Sequence, residues 1–192
     1  MSLEIDCQFI KKWHPLYDCT ETDQKKYDSI LSIVVAELGN TGTLTRETFI
    51  RIIDWKASRV KGKLDAEYGP YSDAFRLAHS TKEVMKKLKY LIALPGIGVP
   101  VASTILHFME PADIPINDFR TVEILHFAGL IQFLSRDEKR FGPFRDAILS
   151  IKRRCPEFSL RQIDRALFAY HKQDYVPHIK GKSARSSQCR RK

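Results

Sequence analysis

The residues best suited to chemistry lie between Leu94 and Asp118. The segment reads Leu-Pro-Gly-Ile-Gly-Val-Pro-Val-Ala-Ser-Thr-Ile-Leu-His-Phe and, after a connecting turn, closes on Pro-Ile-Asn-Asp. Gly96 and Gly98 tolerate positive φ and carry no Cβ, so a second backbone can come close. Pro100 suits the first helical position, where its missing N–H is no loss, and it biases Val99 out of the helix. A helix predicted to start at Pro100 turns its free N–H groups and positive dipole end toward the glycines. That geometry favours an anion, most simply a phosphate. Asp118 stands before the next apolar run. It can cap a helix through its carboxylate, and the same cap fixes that carboxylate where chemistry could use it.

The elements that must position these groups read as helices. Val84, Leu88, Leu91 and Ile92 share one helical face before the glycines, and Val101, Ile105 and Phe108 share another after them. The two form a helical hairpin at about 82–109 with a tight Pro95–Gly98 turn. Upstream, Thr20-x-x-Asp23 predicts the start of a helix that Gly39-Asn40 ends, and Thr45 starts a second that Gly62 stops. Ser80-x-x-Glu83, Ser135-x-x-Glu138 and Ser159-x-x-Gln162 read as further caps. Gly142-Pro143 is expected to interrupt the helix after Glu138. No convincing strand alternation is present, so the expected class is all-α. The expected organisation is a single domain over residues 1–172, with a basic arm over 173–192.

The chain has 192 residues and a net charge of +9. That charge argues for an acidic partner, nucleic acid first and an anionic membrane surface second. No apolar run is long enough to span a bilayer, and the start lacks a signal-peptide pattern. Cys7, Cys19, Cys155 and Cys189 are scattered without a C-x-x-C pair, which predicts free thiols in a reducing compartment, cytoplasm or nucleoid. The histidines show no tight pairing with cysteine or acid, so no side-chain metal site is expected.

Two basic clusters have open readings. Trp55, Lys56 and Arg59 close the second helix; they are either a packed tryptophan beside cations that complement a helix end, or a patch that touches a strand or an extruded base. Lys82, Lys86 and Lys89 make a stripe that is either a solvated face or a DNA contact.

Leu-Pro-Gly-Ile-Gly-x-x-x-Ala-x-x-Ile-Leu resembles the helix-hairpin-helix motif. With the Pro-Ile-Asn-Asp turn ending at Asp118, residues 85–125 resemble the helix-hairpin-helix DNA glycosylases. The resemblance implies an all-α fold of two lobes with a cleft between them. It implies that main chain at Pro95, Gly96, Ile97, Gly98, Val99 and Val101 grips double-stranded DNA, and that a Na+ or K+ ion can sit at the turn carbonyls. It makes Asp118 the catalytic carboxylate, with Lys56, Arg59 and Arg120 as further DNA contacts. Arg120 could hold a phosphate or pair with Asp118. Bifunctional relatives carry a Schiff-base lysine where this chain has Pro100, so a monofunctional enzyme is expected. The iron–sulfur cysteines of some relatives are not matched, so no cluster is expected.

The sequence departs from the family in two places. A glutamine-containing signature is absent from the early region, and Asp-Phe-Arg-Thr-Val follows the turn where Asp-x-x-Val is commoner. The alternative is therefore a non-catalytic DNA-binding or damage-recognition module on the same fold. RNA is not the expected partner, although a hairpin that reads backbone leaves an RNA-associated module as a third option. The lesion and any protein partner are not readable.

Overall fold

The computed structural model describes residues 3–17 and 21–176. Among these residues all regular structure is helical. The elements are α1 (Cys7–Trp13), α2 (Glu21–Thr41), α3 (Arg46–Ala57), α4 (Gly69–Ser80), α5 (Val84–Ile92), α6 (Val99–Met109), α7 (Phe119–Phe127), α8 (Glu138–Arg154) and α9 (Leu160–Tyr170). Tight helical turns at His14–Leu16, Ser58–Lys63 and His171–Tyr175 extend α1, α3 and α9. No helix among the described residues is long and apolar enough to cross a membrane.

The helix at the centre is α6, and its sequence explains why. Every residue in it except Pro100 is buried, as expected of a helix that is apolar all round. It packs against α2, α3 and α5, and α4 in turn packs on α5. Ser103 and Thr104 would be unsatisfied in such a helix. Their hydroxyls donate back to the Pro100 carbonyl, at 3.1 and 2.8 Å.

The first and last helices of the described residues meet. α1 packs on α9, with the Phe9 and Trp13 rings 5.3 and 5.1 Å from that of Tyr170. There Cys7 and Cys155 form a disulfide across 148 residues of sequence. The free thiols expected at these two positions are thus corrected. Tertiary packing brings the Cα atoms to 5.4 Å, within bridging range, and no local pattern announces such a pair.

Several local expectations also need correction. α2 runs past Gly39-Asn40 to Thr41, and Gly42 at φ 67° ends it. Gly62 lies inside the turn that follows α3 rather than stopping that helix. Ser80 belongs to α4, and Glu83 caps α5 without a side-chain bond. Asp137, not Ser135, caps α8. α8 passes unbroken through Pro143; Gly142 before it has no Cβ to clash with the proline ring. α6 starts at Val99, one residue early, with Gly98 as its cap. The Thr45 cap and the complete Ser159–Gln162 capping box are as expected. The chain stays helical to Val176 rather than becoming an arm at 173. The Thr20 cap, Cys19, Cys189 and the basic segment after Val176 lie outside the described residues.

Candidate nucleic-acid interface and acid site

The hairpin turn is held from beneath. Gly96 has φ +77°, and a Cβ there would stand 2.9 Å from the Lys63 carbonyl oxygen. The turn therefore packs against the segment leaving α3, which only glycine permits. Tyr71, buried, donates its hydroxyl to the Pro95 carbonyl at 2.9 Å and accepts from the Asp65 N–H at 2.8 Å. Pro95 and Gly98 are exposed, whereas Ile97, Val99 and Val101 face the core. These three residues can therefore offer a ligand main chain only. The Gly98 and Val99 N–H groups find no acceptor among the described residues.

The turn carbonyls divide in a similar way. Leu94 accepts from Ile97, and Gly98 accepts from Val101 and Ala102. Those of Gly96 and Ile97 have no protein donor among the described residues. The latter pair fits the lone-pair requirement of a monovalent cation.

Asp118 is delivered by α6. On that largely apolar helix, Ser103 and His107 sit four residues apart on one face. The Asn117 N–H donates to Ser103 Oγ at 2.9 Å, and His107 Nδ1 donates to the Ile114 carbonyl at 2.8 Å. Both ends of the Ile114–Asn117 segment are thereby pinned to the helix that carries the hairpin's N–H groups. His107 Nε2 accepts from the Tyr27 hydroxyl at 2.8 Å. Burial holds the imidazole neutral, with its pKa lowered to about 4. The sequence reading missed this pair; two polar residues four apart in an apolar helix were the available signal.

Asp118 caps α7, its Oδ1 accepting from the Arg120 N–H at 3.0 Å. Its Oδ2 accepts from Lys56 Nζ at 3.2 Å, and Arg120 Nη1 lies 3.6 Å from Oδ1. The side chain keeps 18% of its surface exposed. Burial alone would raise its pKa, but Lys56, the Arg120 N–H and the Arg120 guanidinium together hold it below the ordinary carboxylate value. Lys56 is thus paired with the acid, its side chain largely buried beside it. Arg120 leans on the same carboxylate while its guanidinium stacks 4.3 and 4.5 Å from the rings of Phe119 and Phe168.

Opposite Asp118 stands α9. Arg161 and Asp164 form a buried ion pair, and Thr121 donates to Asp164 at 3.3 Å. Burial pushes the Asp164 carboxyl above its usual value, against the pull of Arg161 and Lys56. Together with Tyr17, Trp55 and Phe168 these groups line a cleft of about 170 Å3. Each of the two charges follows an inward apolar residue of α9, Leu160 or Ile163, a signal the sequence reading did not use. A larger groove of about 510 Å3 lies behind Trp55, between α2 and α3. Its carboxylate, Asp54, is paired with Lys61 at 2.5 Å.

The basic residues divide by role. Arg59 and Lys63 are exposed on the segment between Lys56 and the hairpin contact, and neither has an ion-pair partner among the described residues. Trp55 packs against Tyr27 and Phe108, at 5.7 and 5.3 Å, as the core reading required, and still reaches the cleft. Of the lysine stripe, Lys86 pairs with Glu83 and Lys89 with Glu138, while Lys82 precedes α5. No protein-family model, curated protein or solved structure matches this chain.

Proposed function

We propose that this protein binds double-stranded DNA through its helical hairpin and hydrolyses the N-glycosidic bond of a damaged or mismatched base, using Asp118. The observation that carries the reading is the carboxylate itself. It is ionised and part-exposed in a cleft. The preceding residue, Asn117, is bonded through its N–H to the helix at whose start the Gly98 and Val99 N–H groups lack acceptors among the described residues. Glycosidic cleavage builds positive charge on the sugar as the base departs with the bonding electrons, and water then adds to C1′. A carboxylate held this acidic is a weak base, so its main role is electrostatic. Lys56 keeps it ionised, and Arg120 is placed to take a phosphate when DNA arrives. The Gly96 and Ile97 carbonyls are the groups that would hold a monovalent cation, which would bridge the turn to a phosphate. The resemblance to the helix-hairpin-helix glycosylases supports two lobes around this cleft and, with Pro100 at the lysine position, a monofunctional enzyme.

A panel of lesion duplexes tests this. Asp118→Asn should keep DNA affinity and lower base release by about 10²–10³-fold, the scale of one lost transition-state electrostatic contact. A wild type inert on every lesion refutes the proposal. The second reading, a non-catalytic DNA-binding module, draws on the engagement of both Asp118 oxygens. Under it, the same substitution changes stability alone.

A further inference from the structure

Arg161 is the group the mechanism above does not use. It is 8% exposed. Its guanidinium carbon lies 5.2, 5.3 and 4.9 Å from the rings of Tyr17, Tyr27 and Trp55, a three-sided aromatic cage. Nη1 is spent on Asp164. Nε and Nη2 make no hydrogen bond of ordinary geometry among the described residues, although the Tyr17 hydroxyl interacts with the guanidinium. Burying a charged group with two unpaired donors is costly, and an apolar side chain of similar length would fill the cage without that cost. Such an orphan in a folded protein calls for an acceptor from outside.

The cage also limits the ligand. The cleft that Arg161 lines has nearly six times the volume a water takes in the liquid, roughly 30 Å3. It has room for one flat ring system, not a whole nucleotide. Three of its walls, Tyr17, Trp55 and Phe168, are aromatic, which suits stacking on a base. Tyr17 is half-buried, and because its hydroxyl interacts with the guanidinium it is the wall a ligand would displace. Two adjacent N–H groups of a guanidinium match two adjacent acceptors in one plane. On bases that pattern is the O6/N7 edge of a 6-oxopurine, whereas adenine offers a donor at position 6.

We infer that Arg161 sets the specificity of this cleft, selecting an extruded 6-oxopurine through two hydrogen bonds to its O6/N7 edge. The inference rests on the reading of the cleft as a base pocket. Asp164 holds the guanidinium in plane, and the aromatic cage keeps it from turning away. Lysine at this position would keep the charge and lose the fork.

The test uses the full chain and two duplexes differing at one position, hypoxanthine or adenine. Each probe nucleotide stands opposite an abasic gap, so that both bases extrude at similar cost, and on a 2′-fluorinated sugar that resists base release. Fluorescence anisotropy gives the affinities. The wild type should prefer the hypoxanthine duplex by about 5–150-fold, the range of one bidentate pair. Arg161→Lys and Arg161→Met should each reduce that preference to near unity while leaving hairpin affinity for undamaged duplex unchanged. Should one variant fail to fold by circular dichroism, the other carries the comparison.

Equal wild-type affinity for the two duplexes overturns the inference, as does a preference that survives in a folded variant. Base release from unmodified lesion duplexes is scored separately. Arg161-dependent preference without release anywhere sustains this inference and defeats the glycosylase proposal. Release without that preference does the reverse.

Discussion

Acidification provides a quantitative test of how Asp118 is held. His107 is 1% exposed, and its folded pKa is about 4 against an ordinary 6.5. Between those values the unfolded chain takes up a proton that the folded chain refuses. Stability therefore rises with pH across this window: the contribution is intact above pH 6.5 and is lost as pH falls through 4. A gap of about 2.5 units at 1.36 kcal/mol each is about 3 kcal/mol, a large share of the roughly 5–15 kcal/mol that holds a domain. Protonation also places a charge between Tyr27 and Ile114, loosening the segment that ends at Asp118. The control is His107→Asn, which retains a donor for the Ile114 carbonyl and cannot titrate. Urea unfolding followed by far-ultraviolet circular dichroism, from pH 7 to 4, should show wild type losing about 3 kcal/mol more than the variant. Asp118, with its depressed pKa, titrates below this window and does not mask the slope. Parallel pH profiles for the two proteins would refute the buried neutral imidazole and the clamp built on it.

Further outcomes follow from the same geometry. Gly96→Ala meets the Lys63 carbonyl at 2.9 Å with φ +77° and should lower stability by roughly 1–3 kcal/mol, read as a fall in Tm. Gly98→Ala meets nothing nearer than Pro100 at 3.8 Å. It should leave Tm nearly unchanged yet weaken duplex binding, because its methyl stands on the exposed face of the turn; unchanged affinity would remove Gly98 from the interface. Cys155→Ala, or reduction of the Cys7–Cys155 bridge, should cost about 2–4 kcal/mol, seen as a Tm drop of roughly 5–15 °C that reductant no longer deepens in the variant. Duplex affinity should fall linearly with the logarithm of salt concentration at a slope of several phosphate contacts, and Arg59→Gln should shallow that slope by about one.

Local chemistry determined most of the helices. Apolar spacing, the Thr45, Asp118 and Ser159 caps and the glycine turn are interactions within a few residues, so they can be read along the chain. The all-α class and the hairpin follow from them. The departures are also physical. Gly39 and Pro143 are weak breakers when neighbouring packing favours a continued helix, and Ser80 lost its capping role to a bond with the Leu77 carbonyl.

The acid site is different in kind. Lys56 reaches Asp118 across 62 positions, Tyr27 reaches His107 across 80, and Cys7 meets Cys155 across 148. Asp118 itself was legible because a cap and a motif mark it. Its ionisation, the tether of its neighbour Asn117 to Ser103 and the aromatic cage around Arg161 were not. Those depend on which helices pack together, and burial then decides which charges must find each other. The chain's own periodicity carries no record of those pairings.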